Sequence, residues 1–179
     1  MTHIINLYGG PGSGKSTTAA YMFSLLKFRG VNCELVQEYA KQWAWEGRPI
    51  TALDQFHLWG DQQRRESILL GRCDVVVTDS PLLLGVYFSR HFGHYAIANA
   101  TEAALRAYMA ELDREGHTTE HVFVRRIKPY EQAGRFQTAE QAQAMDSEQL
   151  RLASRVFGQV GELVPTPGSI RDFVDARYT

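Results

Sequence analysis

The chain has 179 residues, 44% apolar and 22% charged, proportions that suit one globular domain with a substantial core. Its net charge of −1 excludes a global field drawing it onto nucleic acid or anionic membrane. No apolar run approaches the roughly 20 residues of a membrane helix, and Met1-Thr2-His3 lacks the basic region of a secretory leader.

Short β-rich runs alternate with longer helical patterns, which predicts a parallel sheet of about five strands with helices on both faces. The first strand is expected at His3–Tyr8, followed by a glycine loop and a helix from about Lys15 to Phe28. Gly30 then suits the left-handed turn after a helix. A second strand is expected at Asn32–Gln37, leading into Glu38-Tyr39-Ala40-Lys41. Thr51 and Asp54 have the spacing of a capping box and open a long helix that reaches Leu70. The third strand, Asp74–Thr78, ends in Asp79-Ser80-Pro81, where proline stops the strand and favours a new helix. Thr101–Glu115 carries apolar residues at helical spacing, and His121–Val124 reads as strand four. A basic segment, Arg125 to Gln137, precedes a helix at Thr138–Phe157, a short strand within Gly161–Pro167 and a C-terminal helix. Cys33 and Cys73 are distant in sequence and form no ligand cluster, as expected of reduced thiols in a cytoplasmic protein. The expectation is one domain spanning residues 1–179, with a lid at about 125–137.

Gly9-Gly10-Pro11-Gly12-Ser13-Gly14-Lys15-Ser16 fits the phosphate-binding P-loop pattern, and it lies between a strand and a helix. Its glycines let successive N–H groups turn inward at the positive end of a helix. Lys15 would reach the β- and γ-phosphates of ATP, Ser16 would offer a hydroxyl to Mg²⁺, and Thr17 would add one near the α-phosphate.

Ligands of open parallel sheets sit beyond the carboxyl ends of the strands, so polar residues there are the candidates for chemistry. Asp79 is placed to help hold Mg²⁺, although it also suits a helix cap. Glu38 is placed to accept a proton from an attacking hydroxyl, or to stabilise the first turn of a helix. Arg125, Arg126, Lys128 and Arg135 cluster after strand four. Arg126 and Arg135 are the candidates for stabilising charge on a transferred phosphoryl group, against the alternative of a solvated basic face. Trp43, Trp45, Phe56, His57 and Trp59 fall in the region that would build an acceptor pocket, or pack a core helix.

Taken together, GGPGSGKSTTAA, LVQEYAK, VVVTDSPLLL and RRIKPYEQAGRFQTAEQA resemble small P-loop kinases of the thymidylate kinase type. The resemblance spans about residues 3–157 and is nearest to a phage branch that includes 5-hydroxymethyluracil DNA kinases. It implies a P-loop nucleotide-kinase fold and ATP-dependent phosphorylation of the base's hydroxymethyl group in viral DNA, a step in thymine hypermodification. The location implied is then the host cytoplasm. Asp79 is followed by Ser80 rather than by the arginine of cellular thymidylate kinases, which contacts an acceptor phosphate. A hydroxyl on an uncharged carbon therefore fits better than a nucleoside monophosphate. A kinase for a free nucleoside, nucleotide or ribosylnicotinamide is the alternative, and a nucleotide-dependent switch ATPase is an alternative of another class.

Overall fold

In a computed structural model, residues 1–127 and 138–178 are described. Five parallel strands form one sheet in the order β2-β3-β1-β4-β5: β1 His3–Tyr8, β2 Cys33–Val36, β3 Val75–Thr78, β4 Thr118–Val124 and β5 Gly161–Leu163. Helices α1 Lys15–Phe28, α2 Ala40–Trp45, α3 Gln55–Ser67, α4 Leu83–His91, α5 Tyr95–Arg114, α6 Ala139–Phe157 and α7 Pro167–Asp175 connect and follow them.

The central strands are apolar because both of their faces are covered. Ile4 pairs in register with Val76 and Ile5 with Val77, while Leu7 and Tyr8 pair with Val122 and Phe123. Side-chain alternation then divides the core. Ile5 and Leu7 pack with Met22 and Leu26 of α1 and with Ile170 and Val174 of α7. On the other face Tyr8 and Phe123 pack with Leu83 and Val86 of α4, Leu105 of α5 and Met145 of α6. Burying each large aliphatic side chain contributes about 1.5–3 kcal/mol, so these two layers supply most of the drive to fold.

The expected first strand and first helix are found with their boundaries, β2 and β3 are trimmed at their ends, β4 begins at Thr118 rather than at the expected His121, and three helical elements differ. The helix expected from Thr51 to Leu70 is a single 3-10 turn, Ala52–Asp54, followed by α3, which stops at Ser67. The Thr51–Asp54 capping box does form, with Asp54 Oδ2 accepting from both the Thr51 N–H (3.0 Å) and its hydroxyl (2.7 Å). Helix α5 starts at Tyr95, six residues before the expected Thr101, because the alanine-rich segment before Thr101 has few breakers. Helix α2 is too short to show a periodic stripe and was not expected from the pattern.

Between the sheet and helices α3 and α5, a small cavity is lined by Asn6, Tyr8, Glu66, Tyr108, Thr119 and His121. Burial pushes the Glu66 carboxyl up to about 7 and the His121 imidazole down to about 4. Folding therefore favours protonated Glu66, and its contribution is complete below about pH 4.5 and lost as pH rises through 7. Glu66→Gln keeps the shape and removes this penalty. It is expected to raise stability by roughly 2–3 kcal/mol at pH 8 and very little at pH 4.5, read from urea unfolding at both pH values.

Candidate active site

The loop after β1 has the backbone that its glycines permit. Gly9, Gly12 and Gly14 have φ of 139°, 77° and 100°, values that side-chain-bearing residues rarely adopt. Helix α1 begins at Lys15 with Gly14 as its N-cap and no side-chain cap, so the first-turn N–H groups stay available as donors at the positive helix end. The Lys15 ammonium donates to the carbonyl oxygens of Gly9 and, at 3.2 Å, of Gly10. The hydroxyls of Ser13 and Thr18 are buried without a hydrogen-bond partner. Ser16 and Thr17 are exposed at the start of the helix.

Two carboxylates leave the neighbouring strands on the same rim. Asp79 is buried, and its Oδ1 accepts from the Glu38 N–H at 3.1 Å, tying the end of β3 to the end of β2. The next amide, Tyr39 N–H, donates to Gln62 Oε1 of α3 at 2.9 Å. Helix α4 starts at Leu83 with no side-chain cap, so the expected capping role of Asp79 is not taken up. Burial raises the Glu38 carboxyl above its ordinary value; Lys15 opposes that shift and Asp79 adds to it. Burial likewise lowers the Lys15 ammonium, opposed by Glu38, Asp79 and Asp146. Lys15, Glu38 and Asp79 thus share one electrostatic environment.

The arginines separate. Arg126 lies against the glycine loop, its Nε 2.8 Å from Asp146 Oδ2 and one terminal nitrogen 2.9 Å from the Pro11 carbonyl. Arg125 is turned outward toward Glu162, at 3.4 Å on the sheet edge. Lys128 and Arg135, and with them most of the expected lid, lie outside the described residues. The aromatic residues also split. Trp43 is buried under the Arg48 guanidinium, 3.5 Å from its ring centroid, with His57 and Tyr39 edging it. Trp59 packs against Gly85 of α4, while Trp45 and Phe56 are exposed.

Sequence reading missed three residues: Gln62, Asp146 and Gln149. Gln149 had a visible signal, because it sits in the buried stripe of α6 beside Ala142, Met145 and Leu152, where an amide needs a partner. Its Oε1 accepts from the Gly9 N–H at 3.2 Å. Asp146 gave no such signal, since one acidic residue among polar neighbours reads as solvated surface.

A strand, a glycine loop with a terminal lysine, and a helix at the centre of a five-stranded parallel sheet define a P-loop nucleotide-binding fold. A family model described as an AAA domain matches residues 4–165, and the chain belongs to that family. Among solved structures, NadR in complex with NR superposes with a TM-score of 0.70 at 14% identity, over 99% of this chain and 52% of that one. NadR in complex with NAD and AMP-PNP gives 0.69 at 14% identity, over 99% and 49%. The chain therefore spans about half the length of the NadR chains it matches, and the likeness is one of fold. A search of curated proteins found no significant sequence match. Among the described residues no helix is long and apolar enough to cross a membrane.

Proposed function

We propose that the protein is an ATP-dependent kinase that transfers the γ-phosphoryl group to a hydroxyl acceptor. The acceptor proposed is the 5-hydroxymethyl group of 5-hydroxymethyluracil in DNA. The observation that carries the kinase reading is the convergence of Lys15, Glu38 and Asp79 on one strand rim, with Glu38 N–H and Asp79 joined at 3.1 Å. A desolvated carboxylate beside the metal-binding one suits activation of an attacking hydroxyl, whether it belongs to an acceptor or to water, and the acceptor dependence of turnover separates the two. The acceptor assignment rests on the motif resemblance and on Ser80-Pro81 after Asp79, where no arginine offers itself to an acceptor phosphate.

The donor set suits a magnesium triphosphate. An ammonium, free first-turn amides and two buried hydroxyls without partners surround a loop that only glycine can follow. Ser16 and Asp79 are the residues that would hold Mg²⁺, whose chemistry when bound is to neutralise charge on the β- and γ-oxygens. Among the described residues no cluster of three or more His, Cys, Asp or Glu side chains offers another metal site.

In the proposed reaction Lys15 draws negative charge from the transferring group, and Arg126, beside the same loop, adds positive potential. Arg135 is assigned the same task from the sequence. Glu38 takes the proton of the acceptor hydroxyl. Its desolvation raises its carboxyl and strengthens it as a base, while Lys15 beside it favours the charged form. Glu38→Gln is therefore expected to lower kcat by on the order of 10²-fold or more while KM for ATP stays within about threefold. A variant that loses only thermal stability would remove Glu38 from the chemistry.

A second reading is favoured by the structural match to NadR in complex with NR: phosphorylation of a free nucleoside, nucleotide or ribosylnicotinamide. The deciding experiment incubates the protein with ATP, Mg²⁺ and either hydroxymethyluracil-containing DNA or the free small molecules, followed by digestion and mass spectrometry. A phosphomethyl base in DNA supports the first reading. Phosphate found only on small molecules establishes the second, and ATP hydrolysis unaffected by any acceptor would leave a switch ATPase.

A further inference from the structure

Four of the six residues from Gly9 to Gly14 are glycine, so this loop has an unusually large conformational freedom to lose when it is held in one shape. The structure shows what holds it. The N–H groups of the two consecutive residues Gly9 and Gly10 donate to Gln149 Oε1 and Asp146 Oδ1, at 3.2 and 2.5 Å. These acceptors are three residues apart in α6 and so lie on one helix face. The other Asp146 oxygen is 2.8 Å from Arg126 Nε, and Arg126 reaches on to the Pro11 carbonyl at 2.9 Å. Residues 9, 10 and 11 are thus each tied by a side chain from outside the loop. The Arg126 and Asp146 side chains are only 11% and 14% exposed, so their attraction is poorly screened by solvent.

We propose that Asp146 is a positioning residue for the donor phosphates, clamping the first half of the glycine loop to α6 and holding Arg126 against it. The proposal rests on the kinase reading for its consequence and on the hydrogen bonds alone for its mechanism. The clamp occupies the N–H groups of Gly9 and Gly10 and leaves the first-turn N–H groups of α1 for the anion. It also explains a requirement at Gly10 that the P-loop pattern does not impose. A Cβ there would lie 2.7 Å from Asp146 Oδ1 and 2.8 Å from the Ala142 carbonyl, so α6 approaches this closely only because residue 10 is glycine.

The charge of Asp146 works against phosphate binding, and Arg126 compensates it. Lys15 registers both, its ammonium favoured by Asp146 and disfavoured by Arg126. An uncharged acceptor at 146 would hold either the Gly10 amide or Arg126, but not both in the same way, because asparagine offers a single oxygen.

The test compares wild type with Asp146→Ala and Asp146→Asn by two readouts. The first is amide hydrogen exchange of the loop in the nucleotide-free protein, which does not depend on any activity. Exchange at Gly9 and Gly10 is expected to accelerate about tenfold or more in the alanine variant and to a smaller degree in the asparagine variant. The second is Kd by calorimetry for ATP and for adenosine, each with Mg²⁺. Affinity for ATP is expected to fall about tenfold with alanine and about threefold with asparagine, while affinity for adenosine is unchanged. If the alanine variant does not fold, the asparagine variant is read by itself in the same way. Loop exchange equal to wild type overturns the clamp, and so does an unchanged ATP affinity in a protein whose loop exchanges faster. Wild type that binds no ATP refutes the kinase reading, and the exchange result then still decides the clamp.

Discussion

Lys15→Met is expected to lower phosphoryl transfer by on the order of 10²–10³-fold while leaving the folded structure in place. Methionine keeps most of the aliphatic stem and removes the ammonium. That ammonium donates to the carbonyl oxygens of Gly9 and Gly10, neither of which belongs to a helix or strand ladder. Its burial lowers its own basicity, so removing it relieves a desolvation penalty as well as losing these bonds. Stability should therefore change by less than about 1 kcal/mol. Glu38 and Asp79 lose a compensating charge, so the Glu38 carboxyl should rise further and the pH profile of residual activity should move upward. Steady-state kinetics with an unfolding scan checks both parts. Turnover at the wild-type level would take the loop out of the mechanism.

Gly10→Ala is expected to damage stability and binding together. The added carbon meets a backbone carbonyl of α6, which cannot turn aside without displacing the helix. Overpacking of this kind costs about 1–3 kcal/mol, or several degrees of Tm for a domain of this size. Because the displaced helix carries Asp146 and Gln149, nucleotide affinity should fall together with stability. Gly60→Ala is the control: it lies inside α3, a Cβ there meets nothing within 4 Å, and the change should stabilise by about 1 kcal/mol. Calorimetric Tm and ATP titration of the two variants provide the comparison.

The glycine-loop half of the candidate site was legible in the sequence because its geometry is local. A glycine loop between an apolar strand and a helix must turn its amides inward, whatever surrounds it. Asp79 and Glu38 could be found for a similar reason, since a polar residue directly after a buried strand lies on the rim where parallel sheets place ligands. Their mutual contact, between residues 41 apart, depended on β2 and β3 being neighbours, which the alternating pattern does not specify. Asp146 was invisible because its role is set by the docking of α6 on the loop, a tertiary event with no trace in helical periodicity. The aromatic residues show how local spacing leaves a choice open. The rings of Trp43, Trp45, Phe56, His57 and Trp59 read either as an acceptor pocket or as the packing of a core helix, and short helix α2 and the 3-10 turn send Trp43 inward and Trp45 outward.

That division of the indoles has an optical consequence. Trp43, roofed by a guanidinium, Trp45, 84% exposed, and Trp59, wedged against Gly85, sit in three different environments within seventeen residues of one another. All tryptophan emission comes from α2 and α3, since the chain has no other tryptophan. An aqueous quencher reaches Trp45 first, leaving the shielded pair to report on the packing of α2 and α3. The protein thus carries its intrinsic fluorophores on the helices between β2 and β3, and none on the glycine loop or on α1.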